Sequence, residues 1–313
     1  MNTMPGHGRF ASFVRRAITL SPMRTAVVHP CSVETLRSAI DLKTQGLLDP
    51  LLIGPEHKIR AIAEAAALSL TGIDIEPVEH SHAAADRAVE LASTGKVAAL
   101  MKGSLHSEEL LSAVLSPAST LRTDRRISHV YVMDVPAYSK LLAITDAAIN
   151  IRPDLDQKRD ICQNAINLMR LLGVEKPLVA VLAAVETVNS KMLATLDAAA
   201  LTVMAARGQI EGAIVDGPLA FDNAISIKAA QAKCINSPVA GQADILLVPD
   251  LEAGNMLAKQ LVYFAGAAAA GLVLGARVPI ILTSRADSAK VRMASAALAV
   301  LTAAKRHEPK AIA

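Results

Sequence analysis

Short apolar runs alternate with longer amphipathic stretches through most of the chain. Runs at 25–28, 50–53, 73–78 and 98–101 have the length and residue types of strands. The stretches 33–45, 58–67, 83–93 and 107–115 carry apolar positions at helical spacing, and Gly46 and Gly95 stand where two of those helices should stop. Residues 127–133 alternate apolar and polar, which predicts a half-exposed or antiparallel strand. A second series follows. Strands are predicted over 141–151, 178–183, 210–215, 245–248, 271–274 and 280–282, and helices over 155–172, 191–206, 220–231, 254–265 and about 286–305. Alternation at this spacing predicts βαβ units, hence an α/β fold with mostly parallel sheets. The tails, before about residue 22 and after about residue 307, are expected to be flexible.

Length and composition narrow this picture. The 313 residues exceed one ordinary core, so two domains are expected. With 52% hydrophobic but only 2% aromatic residues, the cores must be built from Ala, Leu, Val and Ile. Few side chains are left to stack on the bases of single-stranded nucleic acid. A net charge of +3 argues against a nucleic-acid surface while leaving room for a local basic site for a small anion. Three scattered cysteines form no C-x-x-C pair. They read as free thiols of a reducing cytoplasm rather than as a zinc site or a disulfide framework. The first twenty residues lack a sustained apolar run of signal-peptide type. The longest uncharged run, between Lys259 and Arg277, is rich in Ala and Gly and is followed by Pro279, which suits a buried helix and strand better than a membrane span.

In parallel α/β sheets ligands bind beyond the carboxyl ends of the strands, so the polar loops there are the candidates. Lys102-Gly103-Ser104 puts a cation and a glycine at one such end, where backbone amides and the next helix could hold an anion. Asp216-Gly217-Pro218 reads as a turn feeding a helix, with Pro218 near its first position. Asp250 and Glu252 could cap amides, bind a polar ligand or hold Mg²⁺, although a metal wants more oxygen ligands. The last junction, Thr283-Ser284-Arg285-Ala286-Asp287-Ser288, offers Ser284, Asp287 or Ser288 as a helix N-cap. Arg285 there opposes the helix dipole, but it makes sense against an anion, since guanidinium grips phosphate with two hydrogen bonds. Gly6-His7-Gly8-Arg9-Phe10-Ala11 matches G-x-G-x-x-A, yet no strand precedes it, so it reads as chance. His80 and His82 do not make a metal site by themselves, and neither a Walker A loop nor a G-x-S-x-G elbow occurs.

These loops resemble the phosphate acetyltransferases and phosphate butyryltransferases. The segment from Asp216-Gly217-Pro218-Leu219 to Ala224 is similar to their V-D-G-P-L-x-x-D-x-A. Ser237-Pro238-Val239-Ala240-Gly241 with Asp244 is similar to S-P-V-A-G-x-A-D, and Pro249-Asp250 with Gly254-Asn255 to P-D-x-x-A-G-N. Ser284-Arg285 is similar to the S-R pair before the last helix. Glu252 and the stretches 101–103 and 283–288 lean toward the butyryltransferase-type branch.

The resemblance implies the reaction acyl-CoA + phosphate ⇌ acyl phosphate + CoA, on a short acyl group, by direct transfer in a ternary complex. It implies a two-domain fold like the isocitrate and isopropylmalate dehydrogenases, with a central cleft. The first domain would hold 1–140 and 279–313, the second 141–278. A homodimer or higher homo-oligomer is expected, with coenzyme A as co-substrate, no permanently bound cofactor, no metal, and neither nucleic acid nor membrane as partner. Ser284, Arg285 and Asp287 are the expected catalytic residues. Gly103, Asp216, Gly217, Pro218, Gly241, Asp250, Gly254 and Asn255 are expected around the substrates, and Lys102 joins them on charge alone. Acetyl-type members place a base Asp seven residues after the motif Ser; here that position is Val291, and Asp287 is the nearest carboxylate. Two other readings stay open: a metal- and NAD-dependent dehydrogenase of the same fold, and a non-catalytic CoA or acyl-phosphate binder.

Overall fold

A computed structural model describes residues 8–282 and 287–307. In chain order, α1 (Phe10–Ile18) leads to β1 (Met23–Val28), α2 (Val33–Thr44), β2 (Leu48–Gly54), α3 (Glu56–Ala65) and β3 (Asp74–Pro77). Then come α4 (Ser81–Ser93), β4 (Ala99–Lys102), α5 (Ser107–Leu115), β5 (Ser128–Asp134), β6 (Leu142–Thr145) and α6 (Leu155–Leu171). β7 (Leu178–Leu182), α7 (Leu193–Ala206), β8 (Ile214–Leu219), α8 (Phe221–Ile225), α9 (Ile227–Ala232) and β9 (Ile245–Leu247) follow. The chain ends through α10 (Leu251–Ala265), β10 (Ala268–Leu274), β11 (Ile280–Ile281) and α11 (Ala289–His307).

The chain forms two compact units, Ala11–Arg125 with Ala270–Ala313, and Arg126–Ala269 with Met1–Phe10. In the first unit the strand order is β3-β2-β1-β4-β11-β10. Its pairs are parallel except β10 with β11. Near-continuous burial of Ala26, Val27 and Val28 and of Leu100 and Met101 is what a parallel sheet covered on both faces requires. In the second unit the order is β5-β6-β9-β7-β8, parallel except β5 with β6. Met133, Ile144, Leu182, Leu219, Leu246 and Val248 lead its core. The mostly parallel α/β architecture is as the alternation predicts.

Four expectations change. The segment before residue 22 contains α1, not only flexible chain; Phe10, Phe13 and Ala17 recur at helical spacing and are buried. β5 is antiparallel, as predicted, but buried at six of seven positions rather than half-exposed, and it lies ahead of the expected changeover near residue 140, paired with β6. Asp216-Gly217-Pro218 is not a turn feeding a helix: it lies inside β8, where the register slips between Ala180 and Leu182, and irregular pairing of that kind accommodates a proline. The helix expected over 220–231 is two short ones, divided at Ser226, whose hydroxyl accepts from the Ala229 amide and caps the second.

Candidate active site

In the first unit, β1, β4 and β11 lie side by side and parallel, so their carboxyl ends share one edge. Ile280 pairs with Leu100 and Ile281 with Met101, so the described chain stops at Leu282 beside Lys102 and Gly103. Ser284 and Arg285 lie outside the described residues. Val28 pairs with Lys102 on the other side, which brings His29 to the same edge.

Gly103 is dictated by close backbone approach. A Cβ there would stand 2.2 Å from the Val28 carbonyl oxygen and 2.6 Å from that of His29. The Gly103 amide donates to Val28 O at 2.9 Å, and the Ser104 amide to His29 O at 2.9 Å. These two amides are therefore committed to the scaffold, and they do not form the anion cradle that the sequence suggests. Lys102, half-buried at the end of β4, remains the cationic contribution of this loop.

Three polar atoms along this edge are buried with no hydrogen-bond partner: His29 Nδ1, Ser104 Oγ and Glu109 Oε2. An unmet buried donor or acceptor costs about 1–3 kcal/mol, so a group of three marks a place built to meet something. His29 adopts φ +51°, a left-handed conformation uncommon outside glycine. Burial holds its imidazole below the ordinary value of 6.5; Lys58 adds to this and Glu109 opposes it. Burial likewise raises the neighbouring Cys31 thiol, against the pull of Lys58. His29 was not among the residues expected from sequence. The signal available was His-Pro-Cys-Ser directly after the first strand, a strand end like the others.

Asp287 is half-buried, and its backbone carbonyl accepts from Arg292 Nη1 at 2.5 Å. The cap of α11 falls to Ser288, whose hydroxyl accepts from the Val291 amide at 3.3 Å.

In the second unit the family-like segments are tied into the scaffold. Asp250 accepts from the Ala253 amide at 2.9 Å and caps α10. Gly254 lets that helix approach the chain closely: a Cβ would meet Asp146 O at 2.8 Å. Asn255 Nδ2 donates to Ala147 O at 3.0 Å. The Asp146 carboxylate accepts from the amides of Ala148, Ile149 and Asn150. Asp244 accepts from the Leu178 amide at 2.8 Å and from Lys140 Nζ at 2.7 Å. Tyr138, donating its hydroxyl to Ala243 O, is pushed up to about 12 by burial and by Asp244. Gly241 has φ +81°, and a Cβ there would meet Ile227 Cα at 2.5 Å. Asp216 Oδ1 accepts from the Gly217 amide, and Gly217 passes against the Val181 carbonyl. The expected substrate contacts on this unit thus carry visible structural duties, while Lys102 and Gly103 share the β1-β4-β11 edge.

Among the described residues, no group of three or more His, Cys, Asp or Glu could hold a metal ion, and no helix is long and apolar enough to cross a membrane.

The family description "Phosphate acetyl/butaryl transferase" matches residues 79–300. A phosphate acetyltransferase of Rhizobium meliloti is 56% identical over 298 residues, covering 95% of this chain and 94% of that protein. A phosphate butyryltransferase of Clostridium acetobutylicum is 39% identical, covering 95% and 99%. These identities do not support the expected lean toward the butyryltransferase-type branch. A solved branched-chain phosphotransacylase from Enterococcus faecalis V583 superposes with TM-score 0.78 at 29% identity, covering 90% of this chain and 99% of that one. A 4-hydroxythreonine-4-phosphate dehydrogenase from Klebsiella pneumoniae does so with TM-score 0.55 at 13% identity, covering 91% and 100%, and shows the shared dehydrogenase-like fold alone.

Proposed function

This chain belongs to the phosphate acetyl/butyryltransferase family, and we propose that it interconverts acyl-CoA plus phosphate with acyl phosphate plus CoA. The acyl group is short, between acetyl and butyryl, with the acetyltransferase relatives favouring the shorter end. The observation that carries the reading is the parallel pairing of β11 with β4, which puts the described end of β11, at Leu282, on the same edge as Lys102, directly before Ser284-Arg285 in the sequence.

All reactants are anions, so the site must screen charge before phosphate or thiolate approaches the acyl carbon. Arg285 binds phosphate and steadies the oxygen that gains charge in the transition state, and Lys102 adds a second cation. Ser284 hydrogen-bonds the carbonyl oxygen. Transfer is direct: positioning the two substrates against each other supplies the rate, and no covalent acyl-enzyme is needed. Asp287 stands within this segment and is the carboxylate that the sequence offers as base.

We also propose a homodimer. Met256, Tyr263 and Phe264 leave an apolar face on α10, with Phe264 89% exposed, and a second copy of the chain is the occupant that fits. A cytoplasmic setting suits the exposed free thiol of Cys234.

The test is release of free CoA thiol by purified protein from acetyl-, propionyl- and butyryl-CoA, with and without phosphate. Release that requires phosphate is expected with at least the acetyl substrate. A shift in nicotinamide absorbance with a hydroxy acid, and no thiol release, would support the dehydrogenase reading instead.

A further inference from the structure

We propose that His29 is the base that takes the thiol proton of CoA, with Glu109 holding the charged imidazole in place. The inference rests on the phosphate acyltransferase reading and places its base at His29 rather than at Asp287.

Position comes first. His29 follows β1 directly, and β1 pairs with β4, which pairs with β11. Neighbouring strands lie roughly 5 Å apart, so the imidazole stands on the same sheet edge as Lys102 and the described end of β11 at Leu282. Bonding comes second. The Ser104 amide fixes the His29 carbonyl, while Nδ1 stays buried and unmet beside the equally unmet Ser104 Oγ and Glu109 Oε2. The other orphaned side chains among the described residues, Ser38, His129 and Asn223, are each buried and lie on three different elements, α2, β5 and α8. Among the described residues with such atoms, only those at the β1–β4 edge are half-exposed. Backbone comes third: a non-glycine residue at φ +51° persists where its surroundings demand it, and such positions cluster at functional sites. The fourth observation is a departure. The position where acetyl-type members place their base is Val291, which cannot accept a proton.

The charged groups that act on His29 are Lys58 from α3 and Glu109 from α5, with Lys102 at the end of the paired β4 and Cys31 two residues on in the same loop. Burial and Lys58 keep the imidazole neutral near pH 7, as an acceptor must be, and Glu109 compensates the charge once the proton arrives. In the step itself the S–H bond of CoA breaks and its proton passes to the imidazole Nε2. The sulfur pair forms the bond to the acyl carbon. The carbon–oxygen bond to phosphate breaks, and its pair leaves with phosphate. In the opposite direction the imidazolium returns the proton to the departing thiolate.

His29→Asn is the variant of choice, because Asn tolerates positive φ. The rate of thioester formation from acetyl phosphate and CoA is followed between about pH 5 and about pH 9. The wild-type rate should rise with pH through a limb below 6.5 and then level off. His29→Asn should lower kcat on the order of 10²-fold, abolish that limb, leave KM for acetyl phosphate nearly unchanged, and recover part of its rate with free imidazole. Glu109→Gln should move the limb to lower pH, since its charge raises the imidazole pKa. His29→Gln, with a thermal melt of each variant, separates loss of fold from loss of base. A variant rate within about twofold of wild type, a limb that survives, or a folded but slow variant indifferent to imidazole overturns the proposal. Wild-type protein that forms no thioester would instead sink the phosphate acyltransferase reading itself, and the base with it.

Discussion

The loops at the strand ends of the two units treat their polar groups in opposite ways. In the second unit, Asp146, Asp244, Asp250 and Asn255 each meet a backbone or side-chain partner within the unit. In the first, His29 Nδ1, Ser104 Oγ and Glu109 Oε2 meet none. Both sets lie in loops or first helical turns next to strand ends, which a sequence reading treats alike. Satisfaction separates them: a satisfied group holds the scaffold, whereas three unmet groups on one half-exposed edge mark a place where a ligand can meet them, unlike the orphaned atoms of His129 and Asn223 inside the second unit. The segments most like the family are therefore largely the means by which the second unit fixes its loops.

That contrast can be broken in three places, from the largest effect down. Lys158 and Asp197 form a buried ion pair at 2.7 Å between α6 and α7. Lys158→Met leaves Asp197 uncompensated and should lower stability by about 3–5 kcal/mol, read by denaturant titration, while the rate per folded molecule stays at wild type. A large fall in that rate would show that this scaffold shapes the chemistry.

Next is His129, 1% exposed against the Tyr131 ring and held at about 4 by burial, with Asp146 opposing. Its folded pKa lies below the unfolded value of 6.5, so the unfolded chain binds the proton first. The stability it contributes is present above pH 6.5 and is lost as pH falls toward about 4. The thermal midpoint should drop across that window, and His129→Gln should flatten the drop. An unchanged slope in the variant would assign the loss to other groups. The smallest effect is expected at Ser237, whose hydroxyl accepts from the Val239 and Ala240 amides at 3.1 Å. Ser237→Ala should cost about 1 kcal/mol in a thermal melt and leave activity alone.

The sequence made the fold legible because period and length are local properties. Buried β1 and β4 and the capped helices α2, α6 and α10 stand within a few residues of where the pattern puts them. It misled where tertiary partners override local preference. Phe10 and Phe13 look like part of a tail until their burial is seen. Gly217-Pro218 looks like a helix start until the register slip in β8 makes room for it. The site was legible only in part. The β4 and β11 loops were singled out from strand ends alone, but nothing in the string distinguishes Asp250, which caps a helix, from Glu109, whose buried oxygen caps nothing. His29 is not legible, because a lone histidine carries no spacing signal; its setting is made by Lys58, Ser104 and Glu109, which are remote in sequence.

The most direct test sets the two regions against each other in one assay. Phosphate-dependent release of CoA thiol from acetyl-CoA is measured for wild type, Arg285→Ala and Ser237→Ala at matched folded concentration. The account predicts a fall on the order of 10²-fold or more for Arg285→Ala and a rate near wild type for Ser237→Ala. Equal rates in all three, or a loss confined to Ser237→Ala, would contradict it.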